Sequence, residues 1–247
     1  MKHNRLLALI SANQERGKKL VIKNEGDITH VYLYDAIGGY WGVEAEAFVT
    51  RLNDIETAEI VLHINSPGGD VFDARAIAVA IKQHKSKVSA QIDGLCASAA
   101  TYISAACDSV SMADGGFYMI HEGWTFAMGN KKDLTKTVAL LEKVDDSIVN
   151  DYQRKTGLDR EQLANWMEEE TWFSATEAKE HGFIDSIIDE DNEVENKSNW
   201  DLSAYANTPV NLKPNNKNVD DEDDLDNQKE FMARRRRQME ALAMATV

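Results

Sequence analysis

Short apolar runs alternate with longer stretches of helical periodicity along the chain, and this alternation restricts the fold more than any other feature. Residues 28–34 read Ile-Thr-His-Val-Tyr-Leu-Tyr, the pattern of a half-buried strand. Residues 41–52 carry apolar side chains at helical spacing. Residues 59–64 form an apolar run stopped by Asn65-Ser66-Pro67-Gly68-Gly69, and residues 71–81 are Ala-rich and helical. Residues 88–92 predict another strand, followed by Gly94 and a run of small residues over 96–106. Shorter strands are expected over 110–112 and 117–120. Leu134, Val138, Leu141, Val144 and Ile148 mark one long helix. Alternating strands and helices point to α/β layering.

Charge and composition narrow the function classes. The net charge of -15 over 247 residues argues against a general binder of nucleic-acid backbones, which needs a basic face. No apolar run approaches the length of a membrane span. Residues 6–12 imitate the start of a secretion signal but are too short, and residues 1–19 read as an N-terminal arm. The two cysteines, Cys96 and Cys107, sit among small residues and read as reduced core thiols. Neither metal-ligand spacing nor a phosphate-binding glycine loop is present, so no cofactor or metal is expected.

The composition changes beyond residue 188. Residues 189–247 are more acidic and contain Pro209, Pro214 and few large apolar side chains, so they predict a poorly ordered tail. Six of the seven residues from 220 to 226 are acidic, and residues 229–244 have helix-forming composition around Arg234-Arg235-Arg236-Arg237. That arginine block is either a solvated helix face or a site for an acidic partner.

Four segments carry chemistry. The turn Asn65-Ser66-Pro67-Gly68-Gly69 joins a strand to a helix and holds the only proline before residue 209. Such a turn can present bare N–H groups to an oxyanion, or be a plain connection. Gly94-Leu95-Cys96-Ala97-Ser98-Ala99 also joins a strand to a helix. It places Ser98 either as a helix cap or as a nucleophile among small neighbours. His121 ends the strand Phe117-Tyr118-Met119-Ile120, where a histidine is structural unless a serine needs a base. Glu168-Glu169-Glu170 runs into Thr171-Trp172-Phe173-Ser174, so a carboxylate entering an apolar pair can orient an imidazole or simply face solvent.

In this order and spacing the four segments resemble the ClpP-like serine peptidases, the Clp protease proteolytic subunit and its relatives, over residues 20–188. The resemblance implies a crotonase-like fold of repeated ββα units with a protruding long helix at 132–156. It implies Ser98 as nucleophile and His121 as general base, with an oxyanion hole formed by the backbone N–H groups of Gly69 and Ala99. Where the family has its triad aspartate this chain has Glu170, so either Glu170 serves as the acid or the site runs on Ser98 and His121 alone. Glu122-Gly123-Trp124, the Glu-Thr-Trp-Phe segment and the tail resemble the phage and prophage branch, which implies a head maturation protease acting on capsid or scaffold protein. The alternatives are a cytoplasmic ATP-dependent Clp subunit fed by a separate AAA+ unfoldase, and a non-catalytic assembly scaffold. The family also implies a hexameric or heptameric ring, single or stacked through the long helix, with the apolar stripe from Leu134 to Ile148 either as that contact or as core packing. No membrane or nucleic-acid partner is implied, and the expected location is the cytoplasm of a bacterial or infected cell.

Overall fold

Alternation of buried and half-exposed residues builds the sheet. The computed structural model describes residues 20–38, 42–125, 127–188, 200, 202 and 204–212. All of these lie in one compact unit spanning residues 1–214. The expected N-terminal arm and the helix around the arginine block lie outside the described residues. Strands β1 (Leu20–Glu25) and β2 (Ile28–Leu33) form an antiparallel hairpin. From β2 the sheet continues in parallel through β3 (Glu59–Ser66), β4 (Lys87–Ala97), β5 (Ser109–Ala113) and β8 (Ser186–Ile188). Strand β6 (Phe117–Ile120) pairs with the far end of β4 and, antiparallel, with β7 (Thr171–Ser174).

Val31, Leu33, Ile60, Leu62, Ile64, Val88, Ala90 and Ile92 are buried on one face, as a period of two requires. They share a core with helix α1 (Ala45–Asn53) through Phe48 and Leu52, and with α2 (Val71–Gln83) through Ala74, Ile77 and Ile81. Each large side chain buried here contributes about 1.5–3 kcal/mol. The Asp70 carboxylate caps α2 by accepting from the N–H groups of Phe72 and Asp73.

Strand β4 is longer than its sequence pattern predicts. The apolar run ends at Ile92, but the backbone stays extended through Gly94 to Ala97 because it changes partner. Ser89–Ile92 pair with β5, whereas Leu95, Cys96 and Ala97 pair with β6. The short helix α3 (Ala100–Ser104) follows at once and is wholly buried.

The long helix α4 (Lys131–Thr156) starts with a reciprocal cap between Asn130 and Asp133 and ends at left-handed Gly157. Its apolar stripe divides. Ile148, Val149 and Tyr152 are buried in the core, while Leu134, Val138 and Leu140 are exposed. Its C-terminal half is fastened by Arg75 to Asp151 at 2.5 Å, by Lys155 to Asp185 at 3.1 Å, and by Tyr152 Oη to Thr101 Oγ1 at 2.6 Å. Helices α5 (Arg160–Glu168) and α6 (Ala175–Glu180) then flank β7.

A second buried cluster corrects part of the expectation for the tail. Trp200, Leu202, Ala204, Tyr205 and Leu212 pack with Leu95, Ala97 and Met119, and Phe117, Trp124 and Trp172 cover them. These residues were expected to be poorly ordered because apolar side chains are sparse after residue 188. The few present are large, and they meet an apolar patch on β4, β6 and β7 that the core leaves uncovered.

Candidate active site

Ser98 sits on a sharp turn between β4 and α3 with φ 54, the left-handed region that costs a non-glycine residue about 1–2 kcal/mol. The strain is held locally. The Ser98 N–H donates to Met119 O at 2.9 Å, and its carbonyl accepts from Thr101 N at 2.9 Å and Thr101 Oγ1 at 2.5 Å. Strain at such a turn is characteristic of functional positions. Ser98 does not cap α3; Ala99 occupies that position without a side-chain bond.

The Pro-Gly-Gly turn packs directly against it. Gly68 has φ 90, and a Cβ there would lie 2.6 Å from Ala97 O and 2.7 Å from Ser98 Cβ. Gly69 has φ 150, and a Cβ there would lie 2.0 Å from Ile37 O. Only glycine fits either position. Buried Ser66 sets the turn, donating to Asp35 O at 2.7 Å and accepting from the Gly68 N–H at 3.2 Å. Among the described residues no acceptor engages the N–H of Gly69 or of Ala99. The two donors stand on adjoining turns beside Ser98.

His121 follows the last residue of β6. Its Nε2 lies 2.7 Å from Ser98 Oγ. The Trp124 indole N–H also donates to Nε2, at 3.2 Å. An indole can only donate, so Nε2 is the acceptor and the proton of the neutral ring resides on Nδ1. In that tautomer the ring is ready to receive the serine proton.

Glu170 stands at the start of β7. The antiparallel pairing of β6 and β7 ends with Ile120 against Thr171, and His121 and Glu170 both lie just beyond that end. Glu170 also has a left-handed backbone, φ 52, and is 8% exposed. It is therefore not a residue of a solvated charge run. Its Oε2 accepts from the Ala206 N–H at 2.9 Å and its Oε1 from the Asn207 N–H at 2.6 Å. The Trp172 indole lies 3.5 Å from Oε1.

Tyr205 completes the surroundings. Its hydroxyl donates to Pro67 O at 2.5 Å. Its ring stands edge-on to His121 at 5.6 Å, to Trp172 at 5.8 Å and to Trp124 at 6.1 Å. Burial pushes the phenol well above its ordinary range, with the nearby Ser98 hydroxyl opposing and the charge of Glu170 adding to the rise. A cavity of about 190 Å³ opens beside these groups, lined among others by Gly69, Ser98, His121, Trp124, Leu141 and Tyr205. Its far wall is tied down by the Gly123 N–H, which donates to Asp145 Oδ1 at 2.6 Å. Burial raises the Asp145 carboxyl above its usual range against that bond, and the nearby Glu122 and Asp146 add to the rise.

Five positions expected from the sequence thus gather in one place: Ser98, His121, Glu170, Gly69 and Ala99. Tyr205 and Trp124 were not anticipated. Tyr205 hid in a polar segment, where the only signal was the recurrence of Trp200, Leu202 and Tyr205 just before Pro209. The two cysteines are free and buried, and burial pushes the Cys96 thiol up to about 12.

Comparison with known proteins places the chain in a family. A family model described as Clp protease matches residues 43–191. The ATP-dependent Clp protease proteolytic subunit of Deinococcus radiodurans is 34% identical over 137 residues, covering 55% of this chain and 67% of that protein. The subunit of the same name from Streptococcus agalactiae serotype V is 31% identical over 140 residues, 55% of this chain and 71% of its own. That from Leuconostoc citreum is 31% identical over 136 residues, 53% and 68%. The chain belongs to the Clp protease family, the ClpP-like serine peptidases, and its sheet and helices form the crotonase-like α/β fold.

Proposed function

We propose that the chain is a serine endopeptidase in which Ser98 attacks the peptide carbonyl and His121 acts as general base. The 2.7 Å contact between Ser98 Oγ and an unprotonated His121 Nε2 carries this reading. As the serine oxygen bonds to the carbonyl carbon, its proton passes to His121 Nε2. The carbonyl oxygen gains negative charge and is met by the N–H groups of Gly69 and Ala99. His121 returns the proton to the leaving amine, leaving an acyl-enzyme on Ser98. Water, deprotonated by His121, then hydrolyses that ester. Glu170 stabilises the imidazolium formed in each half of the cycle. No metal or cofactor takes part in these steps.

The biological role proposed is maturation of a phage head, with capsid or scaffold protein as substrate. The replacement of aspartate by Glu170, and the long segment beyond the matched region, support that branch. The relatives' name, ATP-dependent proteolytic subunit, favours a second reading in which a separate unfoldase delivers substrates in the cytoplasm. In both, the exposed half of α4 is the contact through which subunits assemble into rings. A purely structural scaffold would not need the strained Ser98 turn or its contact with His121.

A fluorophosphonate probe tests the chemistry. Labelling confined to Ser98, and lost in His121→Ala, is the expected result; an unlabelled native protein would overturn it. Co-expression with a capsid and scaffold pair tests the role. Cleavage of that pair supports maturation. Degradation only in the presence of an unfoldase supports the second reading.

A further inference from the structure

The segment Tyr205-Ala206-Asn207 lies beyond the region matched by the family, yet it touches three functional parts of the site. The Tyr205 hydroxyl holds Pro67 O, one residue before the two glycines of the oxyanion turn. The Tyr205 ring abuts His121. The N–H groups of Ala206 and Asn207 take one Glu170 oxygen each, at 2.9 and 2.6 Å, and the Asn207 side chain donates to Glu169 O at 2.5 Å. Trp200, Leu202 and Leu212 anchor the segment on either side.

Glutamate carries one methylene more than aspartate and so one more rotatable bond. Alone it orients a neighbouring imidazole less sharply. Two backbone donors, one per oxygen, remove that freedom. Tyr205 is also one of the residues that line the cavity beside Ser98.

We propose that Tyr205-Ala206-Asn207 is an integral part of the active site, with Tyr205 as a positioning residue for the oxyanion turn and the Ala206 and Asn207 amides as the clamp that orients Glu170. The proposal rests on reading Ser98 and His121 as the peptidase pair.

The test compares the full-length chain with Tyr205→Phe, Ala206→Pro and Ala206→Gly, measuring fluorophosphonate labelling at Ser98 and the kcat and KM of a fluorogenic peptide. Tyr205→Phe removes only the hydroxyl; Ala206→Pro removes one clamp N–H and also restricts the backbone at 205 and 206, whereas Ala206→Gly retains the N–H. Loss of the N–H should slow labelling and kcat by about ten- to a hundredfold with KM changed by less than about threefold. Ala206→Gly should recover most of that loss, and Tyr205→Phe should slow both rates by about three- to tenfold. If Ala206→Pro does not fold, Tyr205→Phe decides. Native protein that labels at the same rate as the variants, or more slowly, would overturn the inference and leave the peptidase reading intact. So would variants that label when the native chain does not, since the segment would then be a plug. If neither native protein nor any variant labels, both readings fail.

Discussion

At the scale of single residues, the site depends on two backbones held in the left-handed region, Ser98 and Glu170, and on glycines that let one turn close over the other. Ser98→Ala should abolish peptide hydrolysis, by about 10⁴-fold or more, while thermal unfolding moves little. Retained turnover would reassign the nucleophile. Gly68→Ala is expected to be damaging in a different way. Its φ costs about 1–3 kcal/mol for any side chain. The added Cβ would also meet Ala97 O at 2.6 Å and Ser98 Cβ at 2.7 Å. Chemical denaturation should register the stability loss. Peptide turnover should fall about a hundredfold, because Ser98 is pushed out of line with His121. The serine and histidine were legible because short motifs surround them. The role of Glu170 was open, since nothing in a run of three glutamates says which one is buried. The fold buries Glu170 just before β7 and leaves Glu168 and Glu169 exposed.

At the scale of elements, the sheet has a polar face with its own chemistry. Asp93 on β4 accepts from Tyr34, from Gln91 Nε2 at 2.7 Å and from His63 Nδ1 at 2.9 Å. His63 Nε2 in turn meets His30 Nδ1 at 2.9 Å, so three neighbouring strands are stitched together. Burial raises the Asp93 carboxyl, but the bonds from His63, Tyr34 and Gln91 outweigh it and leave the group below its ordinary 3.8. A carboxyl with a lowered folded pKa adds stability above its unfolded pKa and loses it as pH falls through the folded value. The native protein should therefore lose urea resistance as pH is lowered below about 4. Asp93→Asn should be less stable at pH 7, by about 1–3 kcal/mol, and show a flatter dependence over the acid range. Parallel urea titrations at pH 7, 5 and 3 would show it, and parallel slopes for the two proteins would refute it. Between residues 28 and 152 the order of strands and helices was legible from periodicity, whereas β1, β7 and β8 were not read from it. The extension of β4 to Ala97 was not, because it follows from a second partner strand and not from local pattern.

At the scale of the whole molecule, exposed Leu134, Val138 and Leu140 stand on the free half of a long, well-capped helix whose other half is bolted to the body. If that half joins subunits, Val138→Glu should reduce the mass measured by light scattering and leave the fold of the subunit unchanged. Equal mass for variant and native protein would place the interface elsewhere. The net charge of -15 no longer describes one uniform surface. Part of the segment that composition set apart as a tail packs into the same compact unit as Ser98 and His121. The sequence by itself determined the α/β layering, the Ser98 and His121 pair and the glycine turn, because each depends on residues close together in the chain. Only the tertiary structure decided that Glu170 is buried and that Ala206 and Asn207 grip it. Those contacts need an apolar patch that exists only once β4, β6 and β7 have paired, so no local pattern in the chain could encode them.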